Sequence, residues 1–230
     1  MNELLWVSSI PLAYLLYRGT KVTYNDVIAY YRNKELDNLS NEKFTEKVKI
    51  IGVGGGGSAI VEYLSNKYPN RYDSIILNSD KKALTSKNVT NKIHLEKSDD
   101  FGCGSNTLCG YNLVNDSVIE KLKNFINTDK KVFIFATLGG GCGSGSVRAL
   151  SQYLPMKDLD IQYFLTTPFS WEGLKRTNRA NETIEFLKNN NAKIKVFSND
   201  ELLKFGNMSI KDCFNKQDEE FHKIIGLSFN

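Results

Sequence analysis

The chain has 230 residues, which is enough for one sizeable hydrophobic core but short for two full domains. Its 30 basic residues exceed its 26 acidic residues by four, and they form no basic run of the kind that binds nucleic acid. The four cysteines show neither metal-ligand spacing nor a disulfide framework, so we expect reduced thiols in a cytoplasmic protein.

Residues 1–46 are expected to form an extension outside the main domain. Residues 4–17 are fairly apolar but are interrupted by polar residues and Pro11, and they fall short of the roughly 20 apolar residues of a transmembrane helix. Their flanking charges do not fit a secretory signal. Residues 23–33 have helical apolar spacing and residues 34–47 indicate a linker, which favours a helix packed on the domain's flank over a membrane or partner anchor.

From Lys47 onward, short β-rich runs alternate with longer amphipathic segments, a pattern typical of βα units around a parallel sheet. The predicted strands are Val48–Val53, Ser74–Asn78, Lys92–Leu95, Val132–Thr137, Ile161–Thr166 and Ile194–Phe197. The predicted helices are 58–67, 111–126, 144–153 and 173–190. Residues 47–230 are therefore expected to form an α/β domain with a doubly wound, mainly parallel six-stranded sheet, helices on both faces and ligands at the carboxyl ends of the strands.

Four consecutive glycines, Gly54 to Gly57, follow the first predicted strand. Without side chains they allow the backbone to approach an anion closely, and the following helix offers unpaired N–H groups. The segment also satisfies GxGxxG, and Asp80 follows at about the distance expected of a nicotinamide-binding fold. This loop alone leaves dinucleotide binding, mononucleotide binding and a plain tight turn open.

A second glycine cluster, ATLGGGCGSGS at residues 136–146, also lies between a predicted strand and a predicted helix. Two loops from adjacent strands can hold one polyphosphate from both sides, whereas a dinucleotide fold needs one such loop per cofactor half. Neither loop contains GxxxxGK[ST], so backbone amides, helix dipoles and a cation must meet the phosphate charge. The second cluster therefore favours a single polyphosphate ligand.

The segment GGGCGSG resembles the tubulin/FtsZ signature GGGTGSG, and further segments resemble FtsZ motifs in the same order along the chain. These are 51–58 for the first phosphate loop, 78–84 for NTDxQAL, 102–106 for GAGAN, 166–176 for TKPFxFEGxxR, Asn199-Asp200 for PND, and Phe214 with Asp218 for FxxxD. The resemblance covers residues 47 to about 220. It implies a Rossmann-like GTPase domain that binds GTP or GDP, with Mg²⁺ accompanying the triphosphate.

The resemblance also implies a role for each matching residue at the phosphates. The residues expected to hold the α- and β-phosphates are Gly54, Gly55, Gly56, Gly139, Gly140, Gly141, Cys142, Gly143 and Ser144. Those expected where a γ-phosphate is sensed are Gly102, Cys103, Gly104 and Ser105. Asn78 is also expected to bind the nucleotide, and Asp80 is expected to help position Mg²⁺ or water.

At the nucleoside end, the resemblance implies that Glu172 and Arg176 hold the ribose and the adjacent phosphate, and a guanidinium is well suited to phosphate oxygens. Without the motif, these two residues would be interpreted as a surface ion pair. Phe214 would stack on the purine and Asn199 would bond to it. Asp218 would accept from guanine N1–H and N2–H₂, a donor pair that adenine lacks.

Three residues depart from the family pattern. Cys142 replaces Thr in the signature loop, Ala59 replaces Asn after the first glycine loop, and Thr107 replaces Pro after the GAGAN-like segment. Loss of the Asn amide at position 59 removes one polar contact, worth about 1 kcal/mol. We therefore expect nucleotide affinity to be weaker than is typical of the family.

The chain ends at Asn230, before the acidic loop and second domain that the resemblance implies. On that basis we expect weak GTP hydrolysis by the chain alone. We also expect possible association with itself or with a full-length FtsZ/tubulin-like protein, whose filaments it would cap or modulate.

The alternative from another class is an NAD-binding Rossmann-type oxidoreductase domain. It leaves the second glycine cluster and the Phe214/Asp218 pair unexplained. Neither histidine favours it, because His94 is expected in an edge strand and His222 on the surface of the last helix.

Overall fold

The computed structural model describes residues 47–97, 101–127 and 130–228. Residues 47–219 form one compact unit, and residues 220–228 are assigned to a second. The predicted extension 1–46, with its helix and linker, lies outside the described residues.

Within those residues, six strands form a single sheet in which every neighbouring pair is parallel. They are β1 (Val48–Val53), β2 (Tyr72–Asn78), β3 (Asn91–His94), β4 (Lys131–Thr137), β5 (Asp160–Thr167) and β6 (Lys193–Ser198). Their order in the sheet is β3-β2-β1-β4-β5-β6. The predicted doubly wound α/β fold is confirmed, and each strand end lies within two residues of its predicted position.

The helices of the described segments are α1 (Gly54–Lys67), α2 (Lys81–Thr85), α3 (Thr107–Asn112), α4 (Asp116–Ile126), α5 (Gly141–Tyr153), α6 (Leu174–Asn189) and α7 (Ile210–Leu227). Two 3₁₀ helices span Ser170–Glu172 and Asn199–Phe205. The prediction missed α2 and joined α3 to α4. Those two separate because the Asn115 side chain accepts from Val118 N at 3.1 Å and caps a new helix. No helix among the described residues is both long enough and apolar enough to cross a membrane.

Alternate residues of β4 face opposite layers of helices. Ile134 and Ala136 belong to a buried cluster that includes Leu150 of α5 and Leu187 of α6. The alternate residues Phe133 and Phe135 are also fully buried but lie outside that cluster, and the backbone of Phe135 and Ala136 packs closely on Gly57 of α1. The central strand is therefore buried on both sides, as a doubly wound parallel sheet requires.

Helices α1 and α5 begin inside the glycine runs, earlier than the predicted starts at 58 and 144. A Cβ placed on Gly57 would lie 2.2 Å from Phe135 O, and one on Gly145 would lie 2.0 Å from Thr107 O. Both helices thus approach their neighbours too closely for any side chain at these positions. Close packing outweighs the poor helix propensity of glycine, which is why propensity placed the starts too late.

We expect Gly57→Ala to lower the free energy of unfolding by about 1–3 kcal/mol, because its methyl group would collide with the backbone of β4. Gly55→Ala is the matched control: it lies in the same turn, and its added Cβ would meet nothing within 4 Å. We expect that variant to stay within about 0.5 kcal/mol of the original chain. Denaturant unfolding without nucleotide measures both, and equal losses would contradict the described packing of α1.

Candidate functional site

The two glycine loops meet at one edge of the sheet. Strands β1 and β4 are parallel neighbours whose last paired residues are Val53 and Ala136, so the loops that follow leave from the same end. A Cβ on Gly54 would lie 2.9 Å from Gly143 N, and one on Gly56 would lie 1.9 Å from Thr137 Oγ1. The loops are therefore in direct contact at the point where the strand order reverses, which is where open parallel sheets bind ligands.

Both loops present backbone amides from the first turn of a helix. Gly54, Gly55 and Gly56 are the first three residues of α1, and Cys142 and Gly143 are the second and third of α5. Amides in these positions have no intrahelical acceptor, and they carry the positive end of the helix dipole. The two helix starts converge on a small region that suits an anion.

Other members of the second loop shape it from within. The buried Ser144 hydroxyl accepts from Gly139 N at 2.9 Å, and Gly141 N donates to Gly104 O at 2.7 Å. Gly139 has a φ of +93°, and Gly140 is the N-cap of α5. Hydrogen bonds within the protein therefore already involve Ser144, Gly139 and Gly141, and these bonds fix the shape of the loop.

The third predicted loop, residues 102–106, packs on the second. A Cβ on Gly141 would lie 2.9 Å from Cys103 O, and Cys103 N donates to Ser79 Oγ at 3.1 Å. Cys103 and Cys109 form a disulfide, which corrects the expectation of reduced thiols; Cys142 and Cys213 are free. The turn that leads into α3 brings the two Cα atoms to 5.7 Å, a proximity that spacing along the chain did not reveal.

Asp80 caps a helix beside this third loop. Its carboxylate accepts from Ala83 N at 2.8 Å at the start of α2, while Asn78 Oδ1 accepts from Asp80 N at 3.2 Å. A Cβ on Gly102 would lie 3.3 Å from Asp80 Cβ, so the carboxylate and the loop are close. Across the described segments, no group of three or more His, Cys, Asp or Glu side chains could hold a metal ion.

Glu172 and Arg176 form an ion pair one helical turn apart. Glu172 Oε1 also accepts from Phe169 N at 2.9 Å, which closes the 3₁₀ turn after β5. Arg176 is exposed, and its backbone oxygen lies 3.0 Å from a Cβ placed on Gly139. The structure places the pair beside the second loop and joins its two members to each other.

A cavity of about 940 Å³ adjoins the glycine loops and runs between α1 and the first half of α7. It is lined by Gly56, Ala59, Ile60, Glu62, Tyr63, Asn66, Lys67, Thr137, Thr166, Asn199, Ile210, Lys211, Phe214, Asn215, Gln217 and Asp218. Its size lies within the range of small-molecule sites. The cavity thus extends from the residues predicted to bind a purine to the first glycine loop, which it reaches at Gly56, beside Thr137.

Two buried oxygen atoms in this cavity have no hydrogen-bond partner among the described residues: Asn199 Oδ1 and Asp218 Oδ1. Burial, and secondarily the negative charge of Glu219, raises the pKa of Asp218 to about 8. A buried polar group without a partner costs about 1–3 kcal/mol. A ligand that brought N–H donors to these oxygens would remove that cost.

Phe214 lines the same cavity and is half-buried. Its ring meets Phe169 edge to face at 6.1 Å, within a small cluster that includes Leu202 and Cys213. Ordinary packing accounts for that edge contact, while the rest of the ring borders the cavity. The placement combines a fixed ring with an accessible surface.

Sequence reasoning missed several residues of the site. Tyr63, Thr137, Thr166 and Lys211 line the cavity, and only the folded arrangement brings them together. Arg179 of α6 was also missed: its Nε donates to Gly139 O at 2.8 Å and its Nη2 donates to Ser105 Oγ at 3.3 Å. The sole hint in the sequence was its position one helical turn after Arg176.

A doubly wound parallel sheet with two glycine-rich helix starts at its reversal point defines a nucleotide-binding type of α/β domain. Residues 47–207 match the family model described as Tubulin/FtsZ family, GTPase domain. The chain belongs to this family. The NAD-dependent alternative is not favoured.

Individual relatives agree with the family match. The cell division protein FtsZ of Mycoplasmopsis pulmonis is 32% identical over 184 residues, which cover 78% of this chain and 46% of that protein. FtsZ of Aquifex aeolicus is 30% identical over 183 residues, covering 78% and 50%. The solved FtsZ dimer of M. jannaschii has a TM-score of 0.68 at 27% identity, covering 85% of this chain and 57% of that one. The chain spans about half the length of the curated relatives it matches.

The two histidines lie outside the glycine loops. The position predicted for one of them is confirmed, and the position predicted for the other is wrong. His94 ends β3 at the edge of the sheet, as expected. His222 is buried, so the expected surface position was wrong. Apolar residues recur through α7, and its periodicity would have been a better guide than the default of surface exposure.

Asp218 makes the stability of the nucleotide-free protein depend on pH. Its folded pKa of about 8 lies above the ordinary value of 3.8, so the folded state binds the proton more tightly than the unfolded state. The stabilisation is complete below pH 3.8 and is lost as pH rises to about 8, by at most about 1.4 kcal/mol per pH unit. We expect Asp218→Asn to remove this slope in denaturant unfolding measured from pH 5 to 8.

The control is Asp158→Asn, which alters an exposed carboxylate on a turn and should leave the slope unchanged. An Asp218→Asn variant with the original pH dependence would show that another group is responsible.

Proposed function

We propose that this chain binds GTP and GDP, with the phosphates on the two glycine loops and the guanine in the adjoining cavity. One observation carries the proposal: the first-turn amides of two helices converge at one end of a continuous site, and two buried side-chain oxygens without hydrogen-bond partners lie at the other. A nucleotide has the matching order of groups, with anionic oxygens at one end and a base carrying N–H donors at the other.

At the proposed phosphate end, the groups that would bind the ligand are backbone amides, which glycine leaves accessible. A side chain at Gly54 or Gly56 would occupy the space between the loops, where a Cβ comes within 2.9 Å of Gly143 N or 1.9 Å of Thr137 Oγ1. The amides of Gly55, Cys142 and Gly143 would donate to the α- and β-phosphate oxygens together with the two helix dipoles. Gly140 and Ser144 would hold the second loop in that shape.

The base end is suited to guanine. The Asp218 carboxylate would accept from N1–H and N2–H₂, and Asn199 Oδ1 offers another acceptor nearby in the same cavity. Adenine presents no such pair of donors, so its binding would leave the Asp218 oxygens without partners. Phe214 would stack on the purine ring, which adds apolar contact without reading the base.

The remaining predicted residues lie beside the proposed site, near the ribose and the terminal phosphate. Glu172 and Arg176 would contact the ribose and its neighbouring phosphate after opening their ion pair, and residues 102–105 would border the terminal phosphate. Mg²⁺ would take most of its oxygens from the phosphates and water, because the described residues supply no ligand cluster. Asp80, beside Gly102 and Asn78, is the proposed second-sphere carboxylate.

We further propose a role in cytoskeletal filaments or cell division in the cytoplasm, through association with itself or with a full-length FtsZ-like protein. The similar proteins carry the names cell division protein FtsZ and FtsZ dimer. Phe101 and Leu108, which flank the third loop, are exposed at 82% and 64%. Co-sedimentation with FtsZ in the presence of GTP tests this role, and no association would count against it.

A binding panel tests the nucleotide assignment. We expect GTP and GDP to bind, and ATP and NAD to bind at least about tenfold more weakly, in calorimetric titrations with Mg²⁺. Asp218→Asn should weaken GTP by roughly 10- to 100-fold, the worth of a hydrogen bond to a charged group. The same variant should gain affinity for xanthosine triphosphate, because its amide can donate to the xanthine O2 that a carboxylate repels.

The gain for xanthine separates base recognition from damage to the fold, because a misfolded variant would lose every ligand. Asp158→Asn is again the matched control and should retain the original preference. Equal affinity for GTP and ATP in the unaltered chain would contradict the assignment of Asp218.

A further inference from the structure

The loops at the proposed phosphate end carry no charged side chain. Residues 52–58, 102–106 and 139–145 contain neither Lys nor Arg. A triphosphate carries more negative charge than helix dipoles alone balance, since each helix start is equivalent to about half a unit charge. Besides Mg²⁺, a cationic side chain that reaches these loops from another element would supply part of the remaining positive charge.

Arg179 reaches two of them from α6. Its Nε donates to Gly139 O at 2.8 Å in the second loop, and its Nη2 donates to Ser105 Oγ at 3.3 Å in the third. The guanidinium thus spans the gap between the loop at the α- and β-phosphates and the loop proposed to border the terminal phosphate. Its side chain is half-buried, so it is held in place but not enclosed.

Arg179 has no acidic partner among the described residues, and its two side-chain bonds go to a neutral carbonyl and a neutral hydroxyl. Two other basic residues near the site are paired with carboxylates, Arg176 with Glu172 and Lys67 with Glu219, while Lys211 lines the cavity beside Phe214 and Asp218. A guanidinium binds phosphate oxygens more strongly than it binds a serine hydroxyl, because it can donate two parallel N–H groups to a charged acceptor. Arg179 therefore lies directly on the second and third loops, and a phosphate would not have to take it from a carboxylate.

We infer that Arg179 determines the preference for a triphosphate over a diphosphate. Its Nε–H remains on Gly139 O, while its terminal N–H groups leave Ser105 and bind the terminal phosphate. This inference rests on the proposed function, because it names one further residue of the same site. The α- and β-phosphates lie on backbone amides and need Arg179 much less.

The test compares GDP with GMPPNP, a slowly hydrolysed GTP analogue, in titrations of the whole chain with Mg²⁺. We expect Arg179→Gln to weaken GMPPNP by roughly 10- to 100-fold and GDP by less than about threefold, because Gln can still bond Gly139 O but lacks the charge. Arg179→Lys should recover part of the GMPPNP affinity. Lys188→Ala removes one exposed charge from the far end of the same helix and should change neither affinity by more than about twofold.

Equal losses of GDP and GMPPNP in Arg179→Gln would overturn the inference, since they would show that Arg179 only supports the loops. Unchanged affinities would overturn it as well. If the unaltered chain bound neither nucleotide, the proposed function itself would fail, and that outcome is distinct from both.

Discussion

Gly54 and Gly143 approach each other so closely that a single added carbon on the first would lie 2.9 Å from the amide nitrogen of the second. This contact requires β1 and β4 to be adjacent and parallel, and it requires glycine in both loops. It also brings the first turns of α1 and α5 together, so that two sets of amides without an intrahelical acceptor share one region. A chain with the same sheet but with side chains at these glycines would not bring the two helix starts together.

The cavity end of the site contains buried polar groups that destabilise the protein when no ligand is bound. Asp218 and Asn199 are buried with unpartnered oxygens, and burial raises the Asp218 pKa to about 8. Apolar residues in their place would stabilise the empty protein. Conflicts of this kind between stability and local chemistry are characteristic of binding sites, and here they fall where the proposed guanine would supply the missing donors. Because an ionised Asp218 is the better acceptor, the proposed binding of guanine would be coupled to release of the Asp218 proton.

Much of the fold could be predicted from the sequence, because buried parallel strands form continuous apolar runs and glycine clusters mark the loops between layers. The strand β1 was located to the residue, and both glycine-rich loops were located between a strand and a helix. The starts of α1 and α5 were predicted too late, since they depend on contacts of Gly57 and Gly145 with distant backbone. The site was less predictable. The Cys103–Cys109 disulfide and the reach of Arg179 to Gly139 arise from tertiary proximity that no spacing along the chain encodes.

If both glycine loops hold the same ligand, the amides of both loops must respond to it together. Two-dimensional amide spectra of protein labelled with ¹⁵N-glycine report on each loop separately during a titration with GDP. We expect the glycine signals of residues 54–56 and 139–143 to shift together along one binding curve, while the signal of Gly206, on a turn before α7, stays unchanged. Shifts confined to one loop, or two curves with different midpoints, would contradict it.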